Sequence, residues 1–572
     1  MKAAGNELST SQDRQSAARL VDARIFHLND ARAVLLIAIF SAALVIPIAL
    51  WGIPQGGDLA NHYRFALPFY ESIEKGNLYP GWLAESNDGY GDARFRFYPP
   101  GLYYLLALLK PVTGWFGSSV VSFAILSALG CLGVYFWTRS FLPSGAAALA
   151  SVLYGVTPYH LNELYQASLL SEYAGCAVLP FVFAFADRVC MRRKLSDVAA
   201  LGAVYALLIL TNLPLAVIGS LSVLVFSLAR IERDKVAQTT LKLGLGVFIG
   251  LAASAFFWVR MLSELSWIKG SGVDPKAYYD YRLNFIFSPA ALTNRNTWYA
   301  NLLALTTLAF LLPAVILVRK AYRSGKLPYL AIFVVTVFSF MMTLPLSKPL
   351  WSVIPKLSEV QFPWRWLAVT SLTASVLVAT ALPAWFDLLR TQIRPLYFLP
   401  MLGFVFSIIF VATQIVWDSD YMSRQEFASF LPSIRGAVSF KDWLPVNARP
   451  LTELPKMSAN VELDSRRAAV EVWEPEFRKF QISDGPAGDA RVKTFYYPNW
   501  IASAGTTPLE VRPSAEGVAL LTVPSGATTV EMRFREPPKV KIASVVSGIS
   551  WLLLFFFAAF RTFMKREDRA AI

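Results

Sequence analysis

Charge is scarce in this chain: only 16% of its 572 residues are Asp, Glu, Lys or Arg, against 55% hydrophobic and 14% aromatic. With a mean hydropathy of +0.45, that scarcity excludes an ordinary soluble protein. The three cysteines, Cys131, Cys176 and Cys190, lie in or beside apolar runs, so no external disulfide is expected. Only two of the three histidines, His62 and His160, fall on the expected outer face, and a zinc site needs more N or S ligands than those. There is no G-x-x-x-x-G-K-[ST] loop and no dinucleotide fingerprint before a helix. No internal repeat is apparent, and the apolar runs lack repeated acids or arginines; both absences count against a proton-coupled or duplicated transporter. Residues 1–32 are polar without an early apolar core, which predicts an uncleaved first anchor and no signal peptide.

Long apolar runs are what the chain has instead, many able to cross roughly 30 Å of hydrocarbon as helices. They predict an α-helical polytopic membrane protein with about 12 spans, near 33–53, 119–137, 145–162, 173–190, 197–212, 213–229, 240–260, 300–318, 327–345, 366–384, 396–417 and 542–560. The excess of cations, net charge +14, does not point to nucleic acid. Arg139, Arg188-Arg192-Arg193-Lys194, Arg230 with Arg233 and Lys235, Arg319-Lys320-Arg323-Lys326, Arg390-Arg394 and Arg561-Lys565-Arg566 fall in short loops on one face, which is then the cytoplasm. This divides the chain into a cytoplasmic tail (1–32), a membrane core (33–417) with outer loops 54–118, 158–172, 261–299 and 346–365, an outer β-rich module (418–541), and a last span with a basic cytoplasmic tail (542–572). The module is read from strand-like alternation in V-A-L-L-T-V-P-S-G-A-T-T-V-E-M-R-F (518–534). The stretch 99–118, interrupted by Lys110, Pro111 and Gly114, is expected as an interfacial helix on the outer face.

The outer loops carry the chemistry. The first reads P-Q-G-G-D-L-A-N-H-Y-R-F (54–65), G-N-L-Y-P-G-W (76–82) and G-Y-G-D-A-R-F-R-F-Y-P-P (89–100). Aromatic rings suit sugar faces, arginines suit phosphate oxygens, and a carboxylate suits a hydroxyl proton. Asp58 is the candidate general base. Asn61, His62, His160, Glu163 and Glu172 are candidates to assist an acceptor or a divalent cation, and carboxylates with amides suit Mg²⁺ or Mn²⁺. Arg365, in Q-F-P-W-R-W (361–366), is the candidate phosphate clamp, with Arg64, Lys348 and Arg282 behind it. Arg260 and Lys356 read as headgroup contacts. Tyr98, Trp364 and Tyr279 are candidates to line a sugar or lipid groove, as are Tyr278 and Tyr281.

These motifs, together with P-Y-H-L-N-E-L-Y and V-K-T-F-Y-Y-P-N-W-I-A-S-A-G (492–505), resemble a bacterial family of integral membrane proteins labelled "6-pyruvoyl-tetrahydropterin synthase-related". More widely they are similar to GT-C glycosyltransferases, including YfhO-like proteins. No residue here supports pterin chemistry. The resemblance implies a polyprenyl-phosphate-linked sugar donor and transfer outside the bacterial inner membrane; the reading that follows is inverting transfer to a hydroxyl of a cell-envelope acceptor, and the even number of spans with the basic loops puts both termini in the cytoplasm. The resemblance also implies a catalytic acid in the first outer loop, which Asp58 matches, and an assisting acid in the second, Glu163 or Glu172. Asp58 is followed by Asn61 and not by a second acid two positions on, a departure from D-x-D or E-x-D that weakens the case for a metal. The alternatives are a flippase of lipid-linked sugars and a non-catalytic envelope scaffold.

Overall fold

The structure is a computed structural model and describes residues 28–269, 280–288, 300–305, 328–391, 395–435, 443–454 and 456–570. Tyr278, Tyr279, the basic run at 319–326 and most of the span expected at 300–318 lie outside those residues. Among the described residues six helices are long and apolar enough to cross a membrane, or seven if the pair Tyr329–Met341 and Pro345–Val353, bent by 93°, is one span. Shorter apolar helices such as Ser144–Gly155 and Leu195–Thr211 pack between them.

Two expected spans are broken for local reasons. The run at 145–162 divides where Pro158 forces Thr157 into an extended conformation, giving Ser144–Gly155 and α4 (Pro158–Tyr165). The run at 240–260 divides at Ser254, ahead of α6 (Ala255–Glu264). The 99–118 stretch is helical and doubles back on the span that follows. Within α3 (Gly101–Thr138) Gly114 takes φ 68° and ψ 177°, and Ser118 Oγ donates to the Leu106 carbonyl at 2.7 Å. Residues twelve apart on a straight helix stand about 18 Å apart, so the two halves of α3 form a hairpin hinged at Gly114.

The basic helix ends gather at one end of the bundle. Arg139 pairs with Asp30 at the start of α1 (Asp30–Ala43) at 2.7 Å, and Arg230 with Asp187 at 2.8 Å. The first long loop, which follows the first span, leaves from the opposite end. There β1 (Ile53–Pro54) pairs antiparallel with β2 (Tyr421–Met422), tying the start of the loop to the chain beyond Pro395–Trp417. Helix α2 (Leu59–Glu74) follows, burying Leu59, His62, Tyr63, Phe65, Leu67, Phe69 and Tyr70 against the membrane core.

The C-terminal module is a two-sheet antiparallel sandwich. One sheet has the order β3 (Val461–Glu462), β6 (Gly488–Phe495), β10 (Val518–Val523), β9 (Val511–Pro513). The other runs β4 (Ala468–Trp473), β5 (Phe477–Ile482), β11 (Thr528–Phe534), β7 (Trp500–Ala504), β8 (Thr507–Leu509). The strands at 518–523 and 528–534 therefore cross from one sheet to the other and do not form a hairpin. Residues 418–435 pack on the membrane core, since Met422 and Phe427 are buried within it. Conversely Trp82, Tyr90, Ala93 and Phe97 of the first loop belong to the sandwich core. Gly91 is required there: its φ is +77° and a Cβ would fall 2.2 Å from the Trp82 indole.

A buried ion network joins these parts. Arg96, fully buried, donates to Glu264 of α6 through Nε and Nη2, and to Glu536 just before α7 (Pro538–Ala570) at 2.7 and 2.8 Å. Arg260 reaches Glu536 at 3.0 Å and lies over the Tyr79 ring at 4.3 Å. It is an interior partner and not the headgroup contact its sequence position suggests.

Candidate active site

The site is assembled from three distant stretches: 56–64 with Tyr98, α4 with the start of α5 (Leu170–Arg192), and 360–366. Asp58 precedes α2 but makes no side-chain cap. Its amide donates to the Ala167 carbonyl at 3.2 Å, which seats the first loop on the second. That approach depends on Gly56, whose amide donates to Ser168 Oγ at 3.1 Å. A Cβ there would lie 2.4–2.6 Å from Ser168 and Gln166.

From Asp58 a chain of polar groups runs along α2. Asn61 Nδ2 donates to Asp58 Oδ1 at 3.2 Å, and Arg64 Nη1 donates to Asn61 Oδ1 at 3.3 Å. The spacing of three residues puts all three groups on one helical face. Arg64 Nε is buried with no hydrogen-bond partner; burial and the neighbouring Arg94 guanidinium push Arg64 below its ordinary pKa. Arg94 itself is clamped by Asp92, with Nε 2.9 Å from each carboxylate oxygen. A half-buried guanidinium beside a second one, with no acid of its own, is the arrangement an anion would complete.

His62 faces inward. Its Nδ1 lies 3.1 Å from the Tyr103 hydroxyl, and burial lowers its pKa to about 4 although Asp58 opposes the shift. It is a neutral anchor for α2. Tyr98 stacks on Phe65 with centroids 4.6 Å apart; burial and the Asp58 charge raise its hydroxyl to about 12, against the pull of Ser171 and Arg365.

The second and third stretches meet at an ion pair. Glu172, in the first turn of α5, sits 3.1 Å from Arg365 Nε and accepts from Tyr159 Oη at 2.8 Å. Arg365 also donates through Nη1 to the Val360 carbonyl at 2.8 Å, and its guanidinium lies 5.1 Å above the Phe362 ring. Trp364 stacks on the same Phe362 at 4.4 Å. The charges of Asp58 and Arg365 both act on Glu172 and on Tyr98, so the three stretches share one electrostatic site.

Behind it, His160 and Glu163 occupy adjacent turns of α4. His160 is held between the Tyr173 and Tyr154 rings, with centroids 4.6 and 4.9 Å away. Cys176, one turn beyond Glu172 on α5, approaches Glu163 at 3.4 Å. His160, Glu163 and Cys176 form the one group of three or more His, Cys, Asp and Glu side chains placed to hold a metal among the described residues. One carboxylate, an imidazole and a thiol do not fit Mg²⁺ or Mn²⁺, which prefer oxygen ligands.

Some expected residues stand apart. Lys348 is exposed, and Arg282 is exposed with Asp280 at 3.6 Å; neither contacts the Glu172–Arg365 pair in the structure. Residues that sequence reasoning passed over include Tyr159, Ser171, Cys176 and the Asp92–Arg94 clamp. Cys176 had a readable signal, since its spacing of four from Glu172 puts both on one helical face.

No curated protein sequence matches this chain. Among solved structures it is similar to the oligosaccharyltransferase of Archaeoglobus fulgidus in its apo form, at 14% identity and TM-score 0.42 over 70% of this chain and 57% of that one. It is similar to the arabinofuranosyltransferase AftD from Mycobacteria at 15% identity and TM-score 0.46, over 68% and 27%. ArnT from Cupriavidus metallidurans bound to undecaprenyl phosphate gives 13% identity and TM-score 0.36, over 71% and 74%. The chain thus spans little more than half the length of the first of these and about a quarter of the second. The model of a membrane protein family described as "6-pyruvoyl-tetrahydropterin synthase related domain" matches residues 95–423, more than half of the chain, and the protein belongs to that family.

Proposed function

We propose that the protein is a membrane glycosyltransferase that moves a sugar from a polyprenyl-phosphate donor to a hydroxyl of a cell-envelope acceptor on the extracytoplasmic face. The observation that carries this reading is the meeting of Asp58, Arg64, Tyr98, Glu172 and Arg365 at the end of the bundle that faces the β module. A base, two guanidinium groups and aromatic rings converge there, with the basic helix ends at the far side.

The chemistry is an inverting displacement. Asp58 accepts the proton of the acceptor hydroxyl as its oxygen attacks the anomeric carbon from the face opposite the phosphate. The bond from that carbon to the phosphate oxygen breaks, and the lipid phosphate leaves with the bonding pair. Arg365 and Arg64 stabilise the charge that develops on it. Glu172 holds Arg365 in place, and Tyr98 with Trp364 lines the sugar or lipid groove. Closure of the site by the first loop limits competing hydrolysis.

The test is transfer of radiolabelled sugar from undecaprenyl-phosphate donors in envelope lipid extract by purified protein. Asp58→Asn is expected to lose about 100-fold or more, the usual range for a general base. Arg365→Ala is expected to lose a similar factor, the scale seen for a donor to a developing anion. Full activity of Asp58→Asn, or no transfer by the unaltered protein from any donor tried, overturns the reading.

A further inference from the structure

The His160–Glu163–Cys176 cluster takes no part in the transfer chemistry above, yet it is built for a ligand. All three side chains are buried: His160 is 3% exposed, Glu163 0% and Cys176 1%. Both ring nitrogens of His160 and Oε2 of Glu163 lack a hydrogen-bond partner, a costly state for interior polar atoms. Their spacing suits a metal. With one ligand atom from each residue the set lies within 4.8 Å; the Glu163 carboxylate stands between the other two, Oε1 at 3.4 Å from Cys176 Sγ and Oε2 at 3.5 Å from His160 Nδ1. Bonds of about 2.0–2.3 Å in a tetrahedral zinc site put neighbouring ligands roughly 3.3–3.7 Å apart.

We propose that His160, Glu163 and Cys176 bind one transition-metal dication of the Zn²⁺ class, with the fourth coordination position left to water. Cys176 brings the sulfur ligand whose lack counted against zinc in the sequence, and the donor set selects the metal: a thiolate and an imidazole favour Zn²⁺ or Co²⁺ over Mg²⁺. Charge selects it too, because a dication with one thiolate, one carboxylate and a neutral imidazole has no net charge, which lessens the penalty of burial. The Tyr154 and Tyr173 rings fix the imidazole plane without using its nitrogens. The metal ties α4 to α5 four residues beyond Glu172, so these three are positioning residues for the acid that holds Arg365.

The proposal does not rest on the transfer reading, and its test reads metal and not sugar. Full-length protein in detergent, stripped with chelator and reloaded, is expected to bind one equivalent of Zn²⁺ or Co²⁺ that a thousandfold excess of Mg²⁺ does not displace. The Co²⁺ form is expected to show a sulfur-to-cobalt charge-transfer band. Cys176→Ser is expected to lose that band and at least tenfold in affinity, and His160→Gln to lose a comparable factor. Cys131→Ser, Cys190→Ser and Asp58→Asn are expected to keep both, Asp58→Asn even where transfer is abolished. Absence of the charge-transfer band from the unaltered protein overturns the proposal, whether or not Cys176→Ser folds. So does an unchanged band in Cys176→Ser, or displacement by Mg²⁺.

Discussion

Arg365 Nε rests 3.1 Å from the Glu172 carboxylate, with the two side chains 14% and 3% exposed. Such a pair is not a source of stability in itself, because desolvation offsets much of its attraction, but breaking it strands a charge. Glu172→Gln is therefore expected to cost about 3 kcal/mol, read as a fall in the thermal midpoint in detergent. The double variant Glu172→Gln/Arg365→Gln is expected to recover part of that loss. If the double variant loses the sum of the two single losses, the pair is not coupled.

Gly56 supports a second prediction. An added Cβ meets Ser168 and the Gln166 carbonyl at 2.4–2.6 Å, so Gly56→Ala must push the first loop off the second. Displacement of a catalytic group by about 1 Å can cost about 100-fold. Gly57, the next residue, has only Ala167 O near its Cβ position, at 3.9 Å. Gly56→Ala is expected to lower transfer at least tenfold with a small change in midpoint, and Gly57→Ala far less. Equal rates for the two variants exclude this role for the close approach.

The sequence displayed these loops as polar and aromatic islands between apolar runs, and the helix ends as clusters of cations. It did not display which island faces which. Asp58 and Glu172 are 114 positions apart, and their loops are joined by the seating of Asp58 N on Ala167 O and of Gly56 N on Ser168 Oγ. The sandwich was legible in its alternating strands, but the contribution of Trp82, Tyr90 and Phe97 to its core was not, because a loop aromatic gives no periodic signal. The partners of Arg260 and Cys176 were hidden for a shared reason. Each lies in or near an apolar run where a bland role is the ordinary one, and each finds its partners on other elements.

Acid sensitivity follows from His62. Its folded pKa, about 4, lies below the ordinary value of 6.5 because the imidazole is buried. Below that ordinary value the unfolded chain takes up a proton that the folded one refuses, so the stability contributed by neutral His62 is complete above about pH 6.5 and lost as pH falls toward 4. A shift of that size is worth about 3 kcal/mol. His62→Gln keeps a partner for the Tyr103 hydroxyl and does not titrate. Its thermal midpoint is expected to fall less steeply between pH 7 and pH 4 than that of the unaltered protein; parallel profiles would show that His62 is protonated in the fold.

The network around Arg96 predicts how the sandwich is held to the membrane core. Arg96 and Arg260 face Glu264 and Glu536, two cations against two anions. Glu264 also accepts from Tyr497 Oη at 2.8 Å. Glu264→Gln removes one anion from a fully buried position, and the surplus positive charge is expected to cost about 3–5 kcal/mol. The damage should fall on the junction between the first loop, α6 and the module, so limited proteolysis is expected to cut faster near 536 while helices at the basic end stay protected. Adding Arg260→Gln restores the charge balance and is expected to return part of the midpoint and of the protease resistance. If the second substitution deepens the loss instead, packing of Arg260 over Tyr79, and not its charge, is what the junction needs.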